Sequence, residues 1–140
     1  MALFILTQNE LGIIEKLLSR SAGVDRKRLV KWGADTNSHD KKRDKDVETT
    51  RTSVAIKKDA MKKIRAVLIK KDHRTNLTET QIDFSSSDRM IIVALLKKSI
   101  GTSWNSVKLL EYHNHTDQND YSKCMTGIRT KRIILAKLDE

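Results

Sequence analysis

The stretch that decides the fold is residues 6–18, Leu-Thr-Gln-Asn-Glu-Leu-Gly-Ile-Ile-Glu-Lys-Leu-Leu. Thr7 and Glu10 stand at the spacing of a capping box, in which each side chain accepts a hydrogen bond from the other residue's backbone N–H at a helix start. Apolar residues then recur at helical spacing, at Leu11, Ile14, Leu17 and Leu18. The stretch therefore predicts an amphipathic helix that begins beside Thr7 and buries one face.

Glycines follow two apolar runs of this kind. Gly23 comes after the first run and Gly101 after the apolar run near residue 95. Glycine favours the left-handed conformation that ends helices, so we predict a helix, a tight turn and a second helix around each glycine. Asp25 and Ser103 are placed to cap the second helices. Each segment, about 20 residues long, resembles the helix-turn-helix pattern of DNA-binding proteins.

The remaining segments complete the prediction of secondary structure. Residues 34–50 are polar with mixed charge, which predicts a loop, while alternation over residues 49–56 indicates a strand. Residues 73–86 are ambiguous, because residues 78–81 match a capping box at a helix start while residues 81–85 alternate like a strand. Further helices are predicted over 59–71, 88–99 and 121–138, with a strand over 129–138 as the alternative. We expect a mainly α-helical fold, or an α+β variant with two or three short strands, containing helix-turn-helix-like hairpins.

The polar run also suggests how the chain is divided. We predict an N-terminal helix-turn-helix-like hairpin over 1–33, a polar loop over 34–50 and a basic α-rich core over 51–140, together forming one compact domain. The single cysteine excludes an internal disulfide framework and a four-cysteine zinc site. No apolar run approaches the roughly 18 residues of a membrane span, and no signal peptide is evident. We therefore expect a cytoplasmic chain without membrane association.

Positive charge is concentrated in the middle of the chain. The net charge is +10, and residues 51–75 hold nine basic against two acidic residues, a net +7 of that total. A concentrated basic stretch with few acids favours a polyanionic partner. Few aromatic residues are present for stacking on single-stranded bases, so we expect DNA rather than RNA.

Three groups of basic residues form the predicted nucleic-acid-binding site. The predicted reading helix follows Gly23, where side chains would face phosphates or guanine edges in a major groove, and carries Arg26, Lys27, Arg28 and Lys31. A stripe expected to contact the DNA backbone consists of Lys57, Lys58, Lys62, Lys63 and Arg65. A second contact is predicted at Arg129, Lys131 and Arg132.

A second DNA-binding architecture uses the middle of the chain. A strand over 51–56 followed by helices over 59–71 and 88–99 resembles the ribbon-helix-helix order of dimeric repressors, which lay paired strands in the major groove. In that arrangement Arg51, Ser53 and Ala55 face DNA. The connection over 72–86 is longer than the short turn of that fold, so we rank this hypothesis below the helix-turn-helix one.

Two other functional classes remain open. One is a protein-interaction module or inhibitor that binds an acidic surface of another protein. The other is a metal-dependent enzyme that uses Glu111, His113, His115 and Asp117, which alternate and would share one face of an extended segment. A polar surface loop is the ordinary explanation for such a run, so we predict no metal and no cofactor.

The leading functional prediction is a non-catalytic protein that binds duplex DNA through a basic surface, in a regulatory or DNA-architecture role. Helix-turn-helix readers are often dimeric, so a homodimer is part of this hypothesis. The sequence contains neither a phosphate-binding glycine loop nor a nucleophile motif such as Gly-x-Ser-x-Gly, so we predict that the protein is not an enzyme.

Overall fold

A computed structural model describes residues 2–34, 41–68, 78–112 and 118–138. These residues form two short strands and four helices in the order β1 (Ala2–Thr7), α1 (Gln8–Ala34), α2 (Lys41–Val67), β2 (Glu79–Phe84), α3 (Ser86–Tyr112) and α4 (Gln118–Leu138). The prediction of a mainly α-helical fold with a few short strands is confirmed. None of the helices, over the described ranges, combines the length and apolar character needed to cross a bilayer.

The two strands pair with each other in an antiparallel ribbon. Phe4 stands opposite Ile82, and the pairing runs from Ala2 with Phe84 to Thr7 with Glu79. Alternate residues point to opposite faces of a strand, so one face of the ribbon buries apolar side chains from both strands. On this face the rings of Phe4 and Phe84 lie 6.0 Å apart between centroids. The ribbon is therefore a half-buried lid on the helices.

The order strand, helix, helix occurs twice, and the sequence repeats with it. Residues of β1 and α1 correspond to residues of β2 and α3 that lie 78 positions later. Six of the corresponding pairs are identical: Ile13 and Ile91, Ile14 and Ile92, Leu17 and Leu95, Leu18 and Leu96, Ser21 and Ser99, Gly23 and Gly101. We call residues 2–68 the first repeat and residues 79–138 the second repeat.

The second helix of each repeat follows the same rule with a shift of 74 positions. Its inward-facing positions correspond as Val54 with Ile128, Lys57 with Lys131, Ala60 with Ile134 and Ile64 with Leu138. All of these residues are buried except Lys131, which is partly buried. The hairpins α1–α2 and α3–α4 are thus two versions of one structural unit.

Contacts between the repeats are arranged around a pseudo-twofold axis. The axis passes through the Phe4 and Ile82 pair, which are themselves corresponding residues. Each strand packs on the second helix of the other repeat, β1 on α4 and β2 on α2. One buried cluster draws apolar residues from all six elements, including Leu6, Leu18 and Leu96. The two repeats therefore share one core.

The helix starts of α1 and α3 repeat the same capping box. The Thr7 N–H donates to Glu10 Oε1 at 2.8 Å and the Glu10 N–H donates to Thr7 Oγ1 at 3.2 Å. Ser85 and Asp88 exchange the equivalent bonds, both at 3.1 Å. The prediction of a capped helix at Thr7 is confirmed. Of the two alternatives for residues 73–86 the strand is observed, and β2 begins two residues before the predicted alternation over 81–85.

Each capping acid also binds a lysine of the other repeat. Lys137 Nζ lies 2.6 Å from Glu10 Oε1, and Lys63 Nζ lies 2.6 Å from Asp88 Oδ2. Lys63 and Lys137 are corresponding residues under the shift of 74. The two ion pairs fasten the end of each second helix to the start of the other repeat's first helix.

The predicted turns at the glycines are wrong. Gly23 lies inside α1 and Gly101 inside α3, so the residues around them form continuous helices of 27 residues each. A glycine inside a helix costs only about 1 kcal/mol, and here helix packing on both sides outweighs that cost. Asp25 and Ser103 lie inside these helices and cap nothing. The hairpins exist, but they join α1 to α2 and α3 to α4.

The predicted loop and strand between residues 41 and 56 are also wrong, because this segment opens α2. Val54, Lys57 and Met61 recur at helical spacing and are buried, which a strand would not allow. The ribbon-helix-helix arrangement predicted for 51–56 fails for the same reason. The strand alternative for 129–138 is wrong as well, since α4 covers it. Residues 35–40 of the predicted loop lie outside the described residues.

Candidate nucleic-acid interface

The end of α1 remote from the ribbon is an exposed, basic stretch of helix. Asp25 is the last buried residue of α1 among its described side chains. Beyond it, the predicted reading residues are all exposed and have no ion pair in the described parts of the chain: Arg26, Lys27, Arg28 and Lys31. At 1.5 Å per residue they lie about 27 to 35 Å along the helix from its start at the ribbon. This stretch therefore offers cations to a partner rather than to the core.

A groove between α1 and α2 brings one of these cations together with the predicted stripe. Four basic residues line it: Arg26, Lys58, Lys62 and Arg65. Its volume is about 420 Å³, and Ser19 adds a hydroxyl to the wall. Arg65 is paired with Glu15 at 2.9 Å, while no acid in the described residues pairs with the other three cations. We call this the hairpin groove.

The prediction that Lys57 contacts the DNA backbone is wrong, because Lys57 is buried. It is 7% exposed, and its Nζ lies 2.6 Å from Asp25 Oδ2, a carboxylate that is itself buried. A buried ion pair of this kind holds α1 against α2 and leaves no surface for a phosphate. The correction follows from the helical register of α2, which turns Lys57 inward and Lys58 outward.

Lys63 faces the other repeat and is held by two acids. Its Nζ lies 2.6 Å from Asp88 and 3.3 Å from Asp59. The pKa of Lys63 is raised, mainly by the hydrogen bond with Asp88, so the lysine stays charged. The two carboxylates beside it balance its positive charge. Of the five stripe residues, only Lys58 and Lys62 are exposed without a described ion pair.

The three residues of the predicted second contact on α4 lie in different surroundings. Arg129 is exposed, and the Arg132 guanidinium lies over the Trp104 ring, 5.3 Å from the centroid. Lys131 points inward and donates a hydrogen bond to Ser99 Oγ at 2.6 Å. Trp104 is partly buried. The three residues therefore do not form one surface.

A second groove lies where α1, α3 and α4 meet, and we call it the axial groove. Corresponding residues of the two repeats line it in pairs, among them Leu17 with Leu95, Arg20 with Lys98 and Ser21 with Ser99. Its volume is about 450 Å³. Because corresponding residues face each other there, the groove sits on the pseudo-twofold axis. Arg28 and Lys131 also line it, which brings one predicted reading residue next to one residue of the predicted second contact.

The outer face of the ribbon is apolar and acidic. Leu3 and Ile5 are 69% and 51% exposed there, and Glu79, Gln81 and Asp83 occupy the same face of β2. Neither strand contains a lysine or an arginine. A ribbon that enters a DNA groove needs cations for the phosphates, so this face is unsuited to the role even though the element order is that of a ribbon-helix-helix unit.

The structure gives no support to a metal site. His113, His115 and Asp117 lie outside the described residues, and nothing is described of the Glu111 side chain. In the ranges that the structure describes, no three His, Cys, Asp or Glu side chains come close enough to hold a metal ion. The metal-dependent enzyme therefore has no observation in its favour.

Comparison with known proteins yields no relative. No protein-family model, curated protein or solved structure matches this chain.

Sequence reasoning missed the axial groove. Arg20, Lys98 and Ser99 stand on different helices and carry no recognisable motif. The signal that finds them is the shift of 78 positions, which makes Arg20 and Lys98 corresponding cations and Ser21 and Ser99 corresponding hydroxyls. Two glycines with similar surroundings are part of that same repeat, although they do not end helices.

Proposed function

We propose that this protein binds duplex DNA without catalysis, through exposed cations of the first repeat. The observation that carries the proposal is the hairpin groove, where Arg26, Lys58 and Lys62 face one cavity and no described acid pairs with them. Lys27, Arg28 and Lys31 continue the same charge along α1. We call these six residues the first-repeat basic surface.

The acids of α1, together with Asp88 of α3, support this location. Glu10, Asp25 and Asp88 are buried, and each is bound to a lysine. Glu15 is bound to Arg65. The unpaired charge on α1 is therefore positive, and a surface of this kind binds phosphates with release of their counterions. Such binding is largely independent of base sequence, which suits an architectural role, while arginines on an exposed helix can add guanine contacts for a regulatory one.

Fluorescence anisotropy of a labelled mixed-sequence duplex across a salt series tests the proposal. We expect log affinity to fall linearly with log salt, with a slope close to −0.9 for each phosphate engaged. The triple variant Arg26→Glu, Lys58→Glu, Lys62→Glu is expected to lower the affinity by at least about 100-fold and to flatten the slope by about three contacts.

A matched variant separates location from total charge. Lys97→Glu, Lys108→Glu, Lys123→Glu changes the net charge equally at exposed positions of the second repeat. We expect it to weaken binding far less. Equal losses from the two triple variants would contradict a localised site, and a wild-type protein without affinity at low salt would contradict DNA binding itself. An RNA duplex of the same sequence as competitor distinguishes the two nucleic acids.

A protein partner with an acidic surface is the second candidate function. Val30 is 73% exposed between Lys27 and Lys31, and an exposed apolar side chain among cations is typical of protein interfaces rather than of phosphate contacts. Poly-glutamate serves as the probe for this candidate. Saturable binding of poly-glutamate by a protein that ignores duplex DNA would favour it over the first.

A further inference from the structure

The axial groove concentrates cations and hydroxyls from three helices. Arg20 and Arg28 come from α1, Lys98 from α3 and Lys131 from α4. Ser21, Ser99, Thr102 and Ser103 add hydroxyls to its lining. The one carboxylate in the lining, Asp25, is already bound to Lys57 at 2.6 Å. The groove thus has four cations, and the one carboxylate in its described lining is held by Lys57, which does not line it.

The internal repeat shows which charge lacks a partner. Lys57 and Lys131 are corresponding lysines, and each points from the second helix of its repeat toward the first helix. Lys57 meets the carboxylate of Asp25. The position that corresponds to Asp25 is Ser103, and among the described residues Lys131 has the Ser99 hydroxyl, 2.6 Å away, in place of a carboxylate. A partly buried ammonium next to further cations is unfavourable until an anion joins it.

We propose that the axial groove binds a small phosphorylated molecule, whose phosphoryl group is held by Lys131, Arg20 and the Ser99 hydroxyl. Lysine and arginine give phosphoryl oxygens charge-assisted hydrogen bonds, and serine adds a neutral donor. The volume of about 450 Å³ lies in the range of small-molecule sites. Leu17 and Leu95 line the same groove and offer an apolar wall to the rest of the ligand.

The titration of Lys131 is consistent with this site. Burial, followed by the nearby positive charge of Arg20, lowers the pKa of Lys131 from its ordinary value, with a small opposing effect from Cys124. A bound phosphoryl group supplies the missing negative charge and would raise that pKa again. The site goes beyond the proposed DNA binding, because it lies in a different groove, and only Arg28 belongs to both surfaces.

Calorimetric titration of the full chain with inorganic pyrophosphate, and separately with inorganic phosphate, tests the inference. We expect saturable binding with one site per chain. Lys131→Met is expected to weaken it at least about tenfold, the effect of losing one charge-assisted hydrogen bond. Lys97→Met removes an exposed cation that does not line the groove and serves as the control with unchanged affinity.

Ser103→Asp is the sharper variant, because it gives the second repeat the carboxylate that the first repeat has. It is expected to fold at least as stably as the wild type, since Lys131 gains a partner, and to bind pyrophosphate at least about tenfold more weakly than the neutral Ser103→Asn variant. Thermal unfolding of each variant establishes that it is folded.

The outcomes are distinct from those of the proposed function. Absence of saturable binding by the wild type, or equal affinity in Ser103→Asp and Ser103→Asn, would overturn the inference. Duplex binding is measured on the same variants, and we expect Lys131→Met to leave it nearly unchanged. If Lys131→Met weakens duplex and pyrophosphate binding alike, the axial groove is part of the DNA surface and the separate site is rejected.

Discussion

The two repeats place the same lysine in opposite situations. In the first repeat, Lys57 is buried against Asp25, and the pair joins α1 to α2. In the second repeat, Lys131 has the same position on α4, but serine replaces aspartate on α3 and the lysine stays partly exposed to a groove. One position therefore serves the fold in one repeat and is available to a ligand in the other.

The outward faces of the two hairpins differ in the same manner. Arg26 and Lys58 face the hairpin groove of the first repeat without a described acid. At the corresponding positions the second repeat has Trp104 and Arg132, which stack on each other. A cation over an indole is stabilised within the protein, whereas two neighbouring exposed cations repel each other and attract an anion. The repeats thus share their apolar positions, while their polar positions differ in whether a partner within the described residues satisfies them.

The largest effect is expected from breaking the buried pair of the first repeat. Asp25→Ala leaves the Lys57 ammonium buried without a partner and is expected to lower the free energy of unfolding by about 3–5 kcal/mol. Urea unfolding followed by circular dichroism measures it. The double variant Asp25→Ala, Lys57→Met removes both charges and should recover most of the loss. A single variant as stable as the wild type would show that Lys57 reaches water when its partner is removed.

The shared core predicts equal costs on both sides of the axis. Leu18 and Leu96 are corresponding residues, and both are 0% exposed. Leu18→Ala and Leu96→Ala are each expected to cost about 2–5 kcal/mol, the range for buried leucines that leave a cavity. Each variant should unfold in a single transition. Two separate transitions, with only one shifted by each variant, would show that the repeats fold independently.

A smaller effect tests the stacking of the second hairpin. A double-mutant cycle over Trp104→Ala and Arg132→Met is expected to give a coupling energy of about 0.5–1 kcal/mol, as for an exposed cation–π pair. The same cycle over Arg26→Met and Lys58→Met in the first hairpin should give a coupling of opposite sign, because these two cations repel each other. Coupling energies of the same sign in the two cycles would contradict the proposed difference between the two hairpins.

The smallest effect is a dependence of stability on pH. Because the folded chain holds the pKa of Lys131 below the ordinary 10.5, the unfolded chain binds more protons between the lowered value and 10.5. The free energy of unfolding contributed by Lys131 therefore rises with pH in that window. Lys131→Met should flatten the rise, and a steeper rise in that variant would contradict the assignment.

The measurement needs a background in which neighbouring groups are controlled. Arg20, Asp25 and Arg28 face the same groove from α1, Lys98 faces it from α3, and Cys124 acts on Lys131 from α4. Because Cys124 influences the pKa of Lys131, both proteins carry Cys124→Ser. Lys63 has a raised pKa, and its stabilising contribution is lost only above 10.5, outside the window.

The sequence predicted local features well and distant ones poorly. The capping box at Thr7 and the apolar face from Leu11 to Leu18 depend on neighbours in the chain, and the structure has both. The low helix propensity of Gly23 is a local property and predicts a helix end. The packing of α2 and α3 on α1 outweighs that cost, and it comes from distant parts of the chain. Residues 49–56 alternate like a strand. In the structure they are helical, because Val54, Lys57 and Met61 recur at helical spacing on the buried face of α2, which packs on α1.

The candidate site shows the same limit. The predicted reading residues on α1 are exposed, as a binding surface requires, and the structure leaves their role a prediction. Lys57 and Lys58 are adjacent lysines that the sequence does not distinguish. The orientation of α2 buries Lys57 in an ion pair with Asp25 and leaves Lys58 exposed. Lys131 and its hydrogen-bond partner Ser99 lie 32 residues apart in the chain, as do Lys57 and Asp25, so no local pattern connects either pair.

The ribbon has a consequence for how the chain is made. β1 leaves the ribosome before its partner β2, which begins only at residue 79. At a synthesis rate of about 5–20 residues per second, β1 waits roughly 4–15 seconds with its apolar residues uncovered. During this interval the first hairpin lacks β2. Its outward lysines and arginines give nascent copies on one messenger the same charge, and this repulsion opposes their association.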